Sequence, residues 1–231
     1  ENPLLSQESL WDKDLRLNGA ALRAAFRGES LQELGIRATV GRVATLQDGN
    51  VVLAAAHAIS AAKAGVDGLV VVGSEAGGLR TTGSESSTMV LVPLVADAVD
   101  VPIVAAGGIA DSRGYRAALA LGAQGVQIGT RFLASEESPA GAAWKKAIME
   151  CADGGTGLIP LEDTRMAQRL IITPWIKEKL ADPSVKNLTA LLERNPEATG
   201  NFERAAFGCG QVGALIKDIK PIAKIISEMV S

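Results

Sequence analysis

The stretch from Val101 to Leu133, VPIVAAGGIADSRGYRAALALGAQGVQIGTRFL, limits more than any other what this chain can fold into. An apolar run at Ile103 to Ala106 is followed by a Gly-Gly turn, a helical segment ending at Gly122 and a second apolar run at Val126 to Ile128. That is the pattern of one strand–helix–strand unit. Each strand ends in a glycine-bearing loop, Gly107-Gly108 after the first and Gly129-Thr130 after the second. In a parallel barrel, loops that follow neighbouring strands open on one face, so these two can aim backbone N–H groups at one phosphate with no side chain between. A lone Gly-Gly turn also serves as an ordinary turn or helix cap, so the pair carries this reading. Barrel enzymes often hold phosphate in the loops after their last two strands, which places the unit late in a barrel.

Composition agrees with such a fold. The 231 residues are 47% hydrophobic and 21% charged, with only 3% aromatics, as helices packed closely on a parallel sheet allow. A net charge of −3 and the lack of a basic run give no reason to expect nucleic acid. The longest apolar stretches have strand length and the first residues lack the layout of a signal peptide, so no membrane span and a cytoplasmic location are expected. Cys151 and Cys209 are far apart in sequence and form no CxxC, which predicts two reduced thiols. No metal site is expected.

Four segments make the chain recognisable: GVDGLVVVGSEAGG (Gly65 to Gly78), VPIVAAGGIADSRG (Val101 to Gly114), ALGAQGVQIGTRFLASEES (Ala120 to Ser138) and GCGQVGALIKDIKPIAKII (Gly208 to Ile226). In this order they resemble the nitronate monooxygenase family of FMN-dependent barrels, which includes the flavin-type enoyl-acyl-carrier-protein reductase. The resemblance implies an α/β fold, a TIM-type (β/α)8 barrel of the FMN-binding kind, with FMN as cofactor and NAD(P)H as co-substrate. It implies Gly107, Gly108, Gly129 and Thr130 at the FMN phosphate, and Glu75, Gly77 and Gly78 beside the flavin ring. Gln211, in the run Gly208-Cys209-Gly210-Gln211, either hydrogen-bonds the cofactor or holds its loop. The chain departs from the family at Leu79, where many members carry a histidine assigned to the catalytic centre. Leucine can neither accept a proton nor offer a charge, so no catalytic acid or base is assigned and nitronate oxidation is weakened more than flavin binding.

A complete barrel needs about 250 residues. Only four parallel strands are read here: one between Ile36 and Val52, then Leu69 to Val72, Ile103 to Ala106 and Val126 to Ile128. In the family these would be strands five to eight. The expectation is therefore about the second half of a barrel in residues 1–138, a helical cap in 139–207, and a closing loop with a C-terminal helix in 208–231. A half-barrel exposes two strand edges, so either another chain supplies the N-terminal strands or the sequence belongs to a longer one.

Two readings compete around His57, the only histidine. Either Ile36 to Ala44 is the strand and Asn50 caps a helix through Ala64, or Val51 to Ala54 is the strand and the helix starts near His57. The Asp48-Gly49-Asn50 turn favours the first and makes His57 a structural or surface residue. A helix through residues 10–26 is read before this region, with Trp11 as a packing residue. Residues 80–87 read as a polar loop in which Arg80 is either solvated or faces substrate. Thr88 to Val99 reads as a helix with Met89, Val92, Val95 and Ala96 inward, Asp111 as a helix cap, Trp144 and Trp175 as packing or lid residues, and Ala214 to Met229 as the closing helix.

The expected activity is FMN-dependent reduction of an activated double bond, such as an enoyl thioester, or of a quinone, by NAD(P)H. The alternative within the class is nitronate oxidation with dioxygen. The alternative of another class is a non-catalytic flavin-holding or scaffold subunit. A flavin-free phosphate-binding isomerase or lyase is opposed by the SEAGG and CGQ motifs.

Overall fold

The computed structural model describes residues 51–66, 68–83, 85–161 and 164–231. Residues 10–26, with Trp11, and the candidate strand Ile36 to Ala44 lie outside them. In chain order the elements are β1 (Val51–Val52), α1 (Ala55–Lys63), β2 (Leu69–Val72), β3 (Gly78–Thr81), α2 (Thr88–Ala96), β4 (Ile103–Ala106), α3 (Ser112–Ala120), β5 (Gly125–Gln127) and α4 (Thr130–Leu133). They continue with α5 (Ala142–Met149), β6 (Thr156–Pro160), β7 (Met166–Ile171), α6 (Pro174–Ala181), α7 (Pro196–Thr199), a 3-10 turn over Gln211–Leu215 and α8 (Ile222–Val230).

Strands β1, β2, β4 and β5 form a parallel sheet in that order, with Val71 opposite Ala105 and Ala105 opposite Val126. The β-branched runs suit strands buried on both faces. Leu69, Val71, Ile103 and Ala105 are buried and pack with Leu91, Val92 and Val95 of α2 and Ala118 of α3. Asp111 caps α3, accepting the N–H of Arg113 at 2.9 Å. These strands and the cap follow the sequence reading closely. In α2, however, Leu91, Val92 and Val95 face inward while Met89 is 63% exposed, so the buried stripe is shifted from the expected one.

Three expectations are corrected. First, Val51–Val52 is the strand and α1 begins at Ala55, so His57 stands in the first turn of α1 at the carboxyl end of the sheet, exposed. The β-branched pair joins the parallel ladder with Val70 and Val71, a pairing that local sequence does not show. Second, the region 139–207 is not all helical. β6 and β7 pair antiparallel, and β7 also pairs with β3, forming a three-stranded sheet of order β3-β7-β6. Third, the closing helix is divided into the 3-10 turn and α8, with Pro221 immediately before α8, where its fixed φ and missing N–H favour a helix start.

Two further apolar cores are present. Ile148 of α5 packs with Phe207, Cys209, Val212 and Ile216, and Ile159, Leu170, Ile176 and Leu188 form the other. Trp144 packs as expected, stacked on Phe207 at 5.9 Å with its indole N–H donating to the Gly208 carbonyl at 3.0 Å. Trp175 lies under the Arg204 guanidinium at 5.1 Å. Among the described residues, no helix is long and apolar enough to cross a membrane.

Candidate cofactor site

The site is built where three parallel strands end. The loop after β2 carries Gly73 to Gly77, the loop after β4 carries Gly107 and Gly108, and β5 runs into Gly129 and Thr130. A fourth piece, the turn 208–211, comes from the far end of the chain and sits against them.

Glycine is required where these backbones touch. A Cβ on Gly77 would lie 2.5 Å from Gly210 N and 2.6 Å from the Cys209 carbonyl carbon, closer than any side chain tolerates. Gly107, at φ +95, holds a backbone shape that L side chains avoid and approaches the Gly73 carbonyl. The seam is hydrogen-bonded as well as close-packed. Gly210 donates its N–H to the Thr130 hydroxyl at 2.9 Å, and Gln211 donates its N–H to the Glu75 carbonyl at 2.9 Å.

Glu75 has a task that the sequence did not announce. Its carboxylate accepts the Thr88 N–H, at 2.9 Å to Oε2 and 3.1 Å to Oε1, while the Thr88 hydroxyl stands 3.0 Å from Oε2. Ser87, at the N-cap of α2, makes no side-chain capping bond, so an acid from a remote loop caps this helix and complements its dipole. The same hydroxyl lies 2.9 Å from the Gly107 carbonyl, which joins the β2 and β4 loops through one threonine. Glu75 is thus a positioning residue: its carboxylate is committed to α2 and its carbonyl to Gln211.

The remaining sequence-derived residues separate into two groups. The N–H groups of Gly107, Gly108 and Gly129 have no acceptor among the described residues, and a Cβ on Gly129 would meet nothing within 4 Å. Unpaired N–H groups from two adjacent strand ends fit an anionic oxygen group such as a phosphate. Gly78 begins β3 at φ +74 with open space around it, so it serves backbone shape. Gln211 holds its loop through its N–H, and its exposed side chain lines a cleft of about 160 Å³ with residues 152–156. Leu79 is 59% exposed.

Charge beneath the loops comes from residues that sequence reasoning missed or misplaced. Arg80 is 1% exposed and is neither solvated nor substrate-facing. Its Nε donates to Glu85 Oε2 at 2.9 Å and its Nη2 to the same oxygen, while the N–H and hydroxyl of Thr81 both donate to Oε1 at 2.9 Å. Burial works against the Glu85 charge, but the bonds from Thr81 and Arg80 together hold its carboxyl below the usual range. Arg169 of β7 is 7% exposed; its Nη2 donates to the Ser74 carbonyl at 3.0 Å and its Nε has no partner among the described residues. Burial and the neighbouring Arg80 both lower its pKa. This arginine pins the antiparallel sheet to the β2 loop. Arg131 does the same for the C-terminal segment, donating to the Asp218 carboxylate at 2.9 Å and carbonyl at 3.1 Å. No sequence signal paired Arg169 with the Ser74 loop or Asp218 with Arg131, because these partners lie far apart along the chain.

Among the described residues no cluster of His, Cys, Asp or Glu is arranged to hold a metal ion. Among the described residues the site therefore offers unpaired backbone N–H groups at two strand ends, buried arginines behind them and no acid–base pair.

Known proteins resemble the chain in both sequence and fold. The chain is 36% identical over 180 residues to the nitronate monooxygenase of Pseudomonas aeruginosa, covering 72% of this chain and 51% of that protein. Its structure is similar to that of FabK from Thermotoga maritima, with a TM-score of 0.68 and 34% identity over 78% of this chain and 58% of the other. It is also similar to nitroalkane oxidase from Streptomyces ansochromogenes, with a TM-score of 0.66 and 28% identity over 78% of this chain and 55% of the other. The chain spans about half the length of the curated relatives it matches. The sequence model of the nitronate monooxygenase family matches residues 42–231, and the chain belongs to that family.

Proposed function

We propose that this chain carries the phosphate-binding part of an FMN-dependent barrel oxidoreductase that oxidises nitronate anions. The observation that carries the reading is the pair of strand-end loops whose Gly107, Gly108 and Gly129 N–H groups lack acceptors among the described residues. These groups hold the FMN phosphate, with the Thr130 hydroxyl kept beside them by Gly210. Arg169 and Glu75 fix the 73–78 loop, and Gly78, with open space around it, leaves room for a flat ring. When bound, FMN supplies the two-electron acceptor that no side chain here can replace.

A leucine at position 79 fits a substrate that needs no base there. A nitronate arrives with its carbon already deprotonated, so an apolar residue at this position is compatible with its oxidation and incompatible with taking a proton from a neutral nitroalkane. The reading includes further strands pairing with the edges that β1 and β5 present among the described residues, supplied by another polypeptide or by chain outside residues 51–231.

The exposed Leu79 side chain also supports a second reading: reduction of an apolar enoyl thioester or a quinone by NAD(P)H. One experiment separates the two. The protein is purified under argon, its visible spectrum and native mass are recorded, and a nitronate, the matching neutral nitroalkane and NADPH are added separately. Bleaching of the flavin band by the nitronate alone supports the first reading. Bleaching by NADPH, reversed by an enoyl thioester, supports the second. Absence of flavin and of flavin binding sinks both.

A further inference from the structure

Cys151 and Cys209, remote in sequence, meet beside Gly213. Both are free and buried, at 4% and 0% exposure. A Cβ built on Gly213 would lie 2.6 Å from Cys209 Sγ and 3.3 Å from Cys151 Sγ, so the two sulfurs flank one backbone position that only glycine leaves open. Each thiol feels the other. Burial first, and then the neighbouring Cys151, push the Cys209 thiol up to about 12. Burial also raises Cys151, against opposing pulls from Cys209 and the Lys217 amine. Neither thiol has a part in the cofactor site.

The two backbones are anchored in different parts of the fold. Cys151 follows α5, and its carbonyl accepts the Lys217 amine at 3.0 Å. Cys209 donates its N–H to the Arg169 carbonyl at 3.3 Å, and the next two residues are those whose N–H groups hold Thr130 and Glu75. A bond between the sulfurs would therefore tie the end of α5 to the turn that closes onto the strand-end loops.

We propose that Cys151 and Cys209 form a reversible dithiol–disulfide pair that locks the 208–211 turn to α5 when the protein is oxidised. The oxidant is a small peroxide. The Cys151 thiolate attacks one peroxide oxygen, the O–O bond breaks, and the departing oxygen takes a proton and leaves as water. The Cys209 sulfur then attacks the resulting sulfenic sulfur, the S–S bond forms, the S–O bond breaks, and the hydroxide leaves as water with the Cys209 proton. Two thiols lose two electrons and two protons, and one hydrogen peroxide becomes two waters. An added dithiol reverses the bond by exchange. Because the thiolate is the reacting form and burial disfavours it, the rate rises with pH through neutrality.

The test treats the folded chain with hydrogen peroxide, traps free thiols with N-ethylmaleimide and reads intact mass, peptide map and amide hydrogen exchange. The expected result is a loss of two hydrogen masses, loss of both maleimide adducts, a linked 151–209 peptide, slowed exchange across residues 208–215 and full reversal by dithiothreitol. C151A and C209A should each abolish the link. Two thiols that stay free until the protein unfolds, sulfinic acid at either cysteine, or links only between copies would overturn the pairing. A linked peptide with unchanged exchange in the turn would overturn the lock. If a variant fails to fold, the wild-type peptide map decides alone.

Discussion

Replacing Glu75 by alanine separates a capping acid from a cofactor ligand. The carboxylate receives the Thr88 N–H at 2.9 Å and 3.1 Å and faces its hydroxyl at 3.0 Å, in a half-buried setting at the start of α2. A lost N-cap costs roughly 0.5–2 kcal/mol and a hydrogen bond to a charged group about 1.5–3 kcal/mol. Because the site is partly open and water can replace some of this, the expected loss for Glu75→Ala is about 2 kcal/mol. For a chain of this size that corresponds to a fall of roughly 4–8 °C in the melting temperature. Glu75→Gln keeps one acceptor and loses mainly the charge at the helix end, for about 0.3–1 kcal/mol. The assay is urea unfolding of the protein stripped of cofactor, followed by FMN titration of each variant. The expected order of stability is wild type, Gln, then Ala, before any FMN is added. If the cofactor-free alanine variant were as stable as wild type while its FMN affinity fell, the carboxylate would be a ring ligand and the capping argument would be refuted.

Gly77→Ala places a methyl 2.5 Å from Gly210 N, forcing the 208–211 turn off the β2 loop; overpacking and two weakened hydrogen bonds predict a loss of about 2–4 kcal/mol, read as a shift in urea midpoint, and weaker phosphate binding by titration calorimetry. Arg80→Ala leaves Glu85 buried without its cation and should destabilise by about 3–5 kcal/mol, which Glu85→Gln in the same chain should partly restore. The Glu85 carboxyl is held below its ordinary value of 4.5, so its contribution is present above that pH and is lost as pH falls through the folded value. Melting temperatures between neutrality and about pH 3 should show that loss in wild type and a shallower acid limb in Glu85→Gln.

The sequence by itself determined the parts whose causes are local. The run Ile103 to Ala106, the turn Gly107-Gly108 and the Asp111 cap all stand where their residues imply, because β-branched runs, paired glycines and a capping aspartate act over a few neighbours. The strand-end glycines were legible as tight backbone turns for the same reason. Only the tertiary structure decided the rest. Val51–Val52 is a strand because β2 lies beside it, and β6 and β7 are strands because they pair with each other and with β3 across long spans of chain. Glu75 caps a helix that starts thirteen residues later, Arg80 is buried against Glu85, and Cys209 comes to rest beside Cys151. Burial and pairing across the chain, not the preference of any residue alone, fix what a carboxylate, a guanidinium or a thiol is able to do.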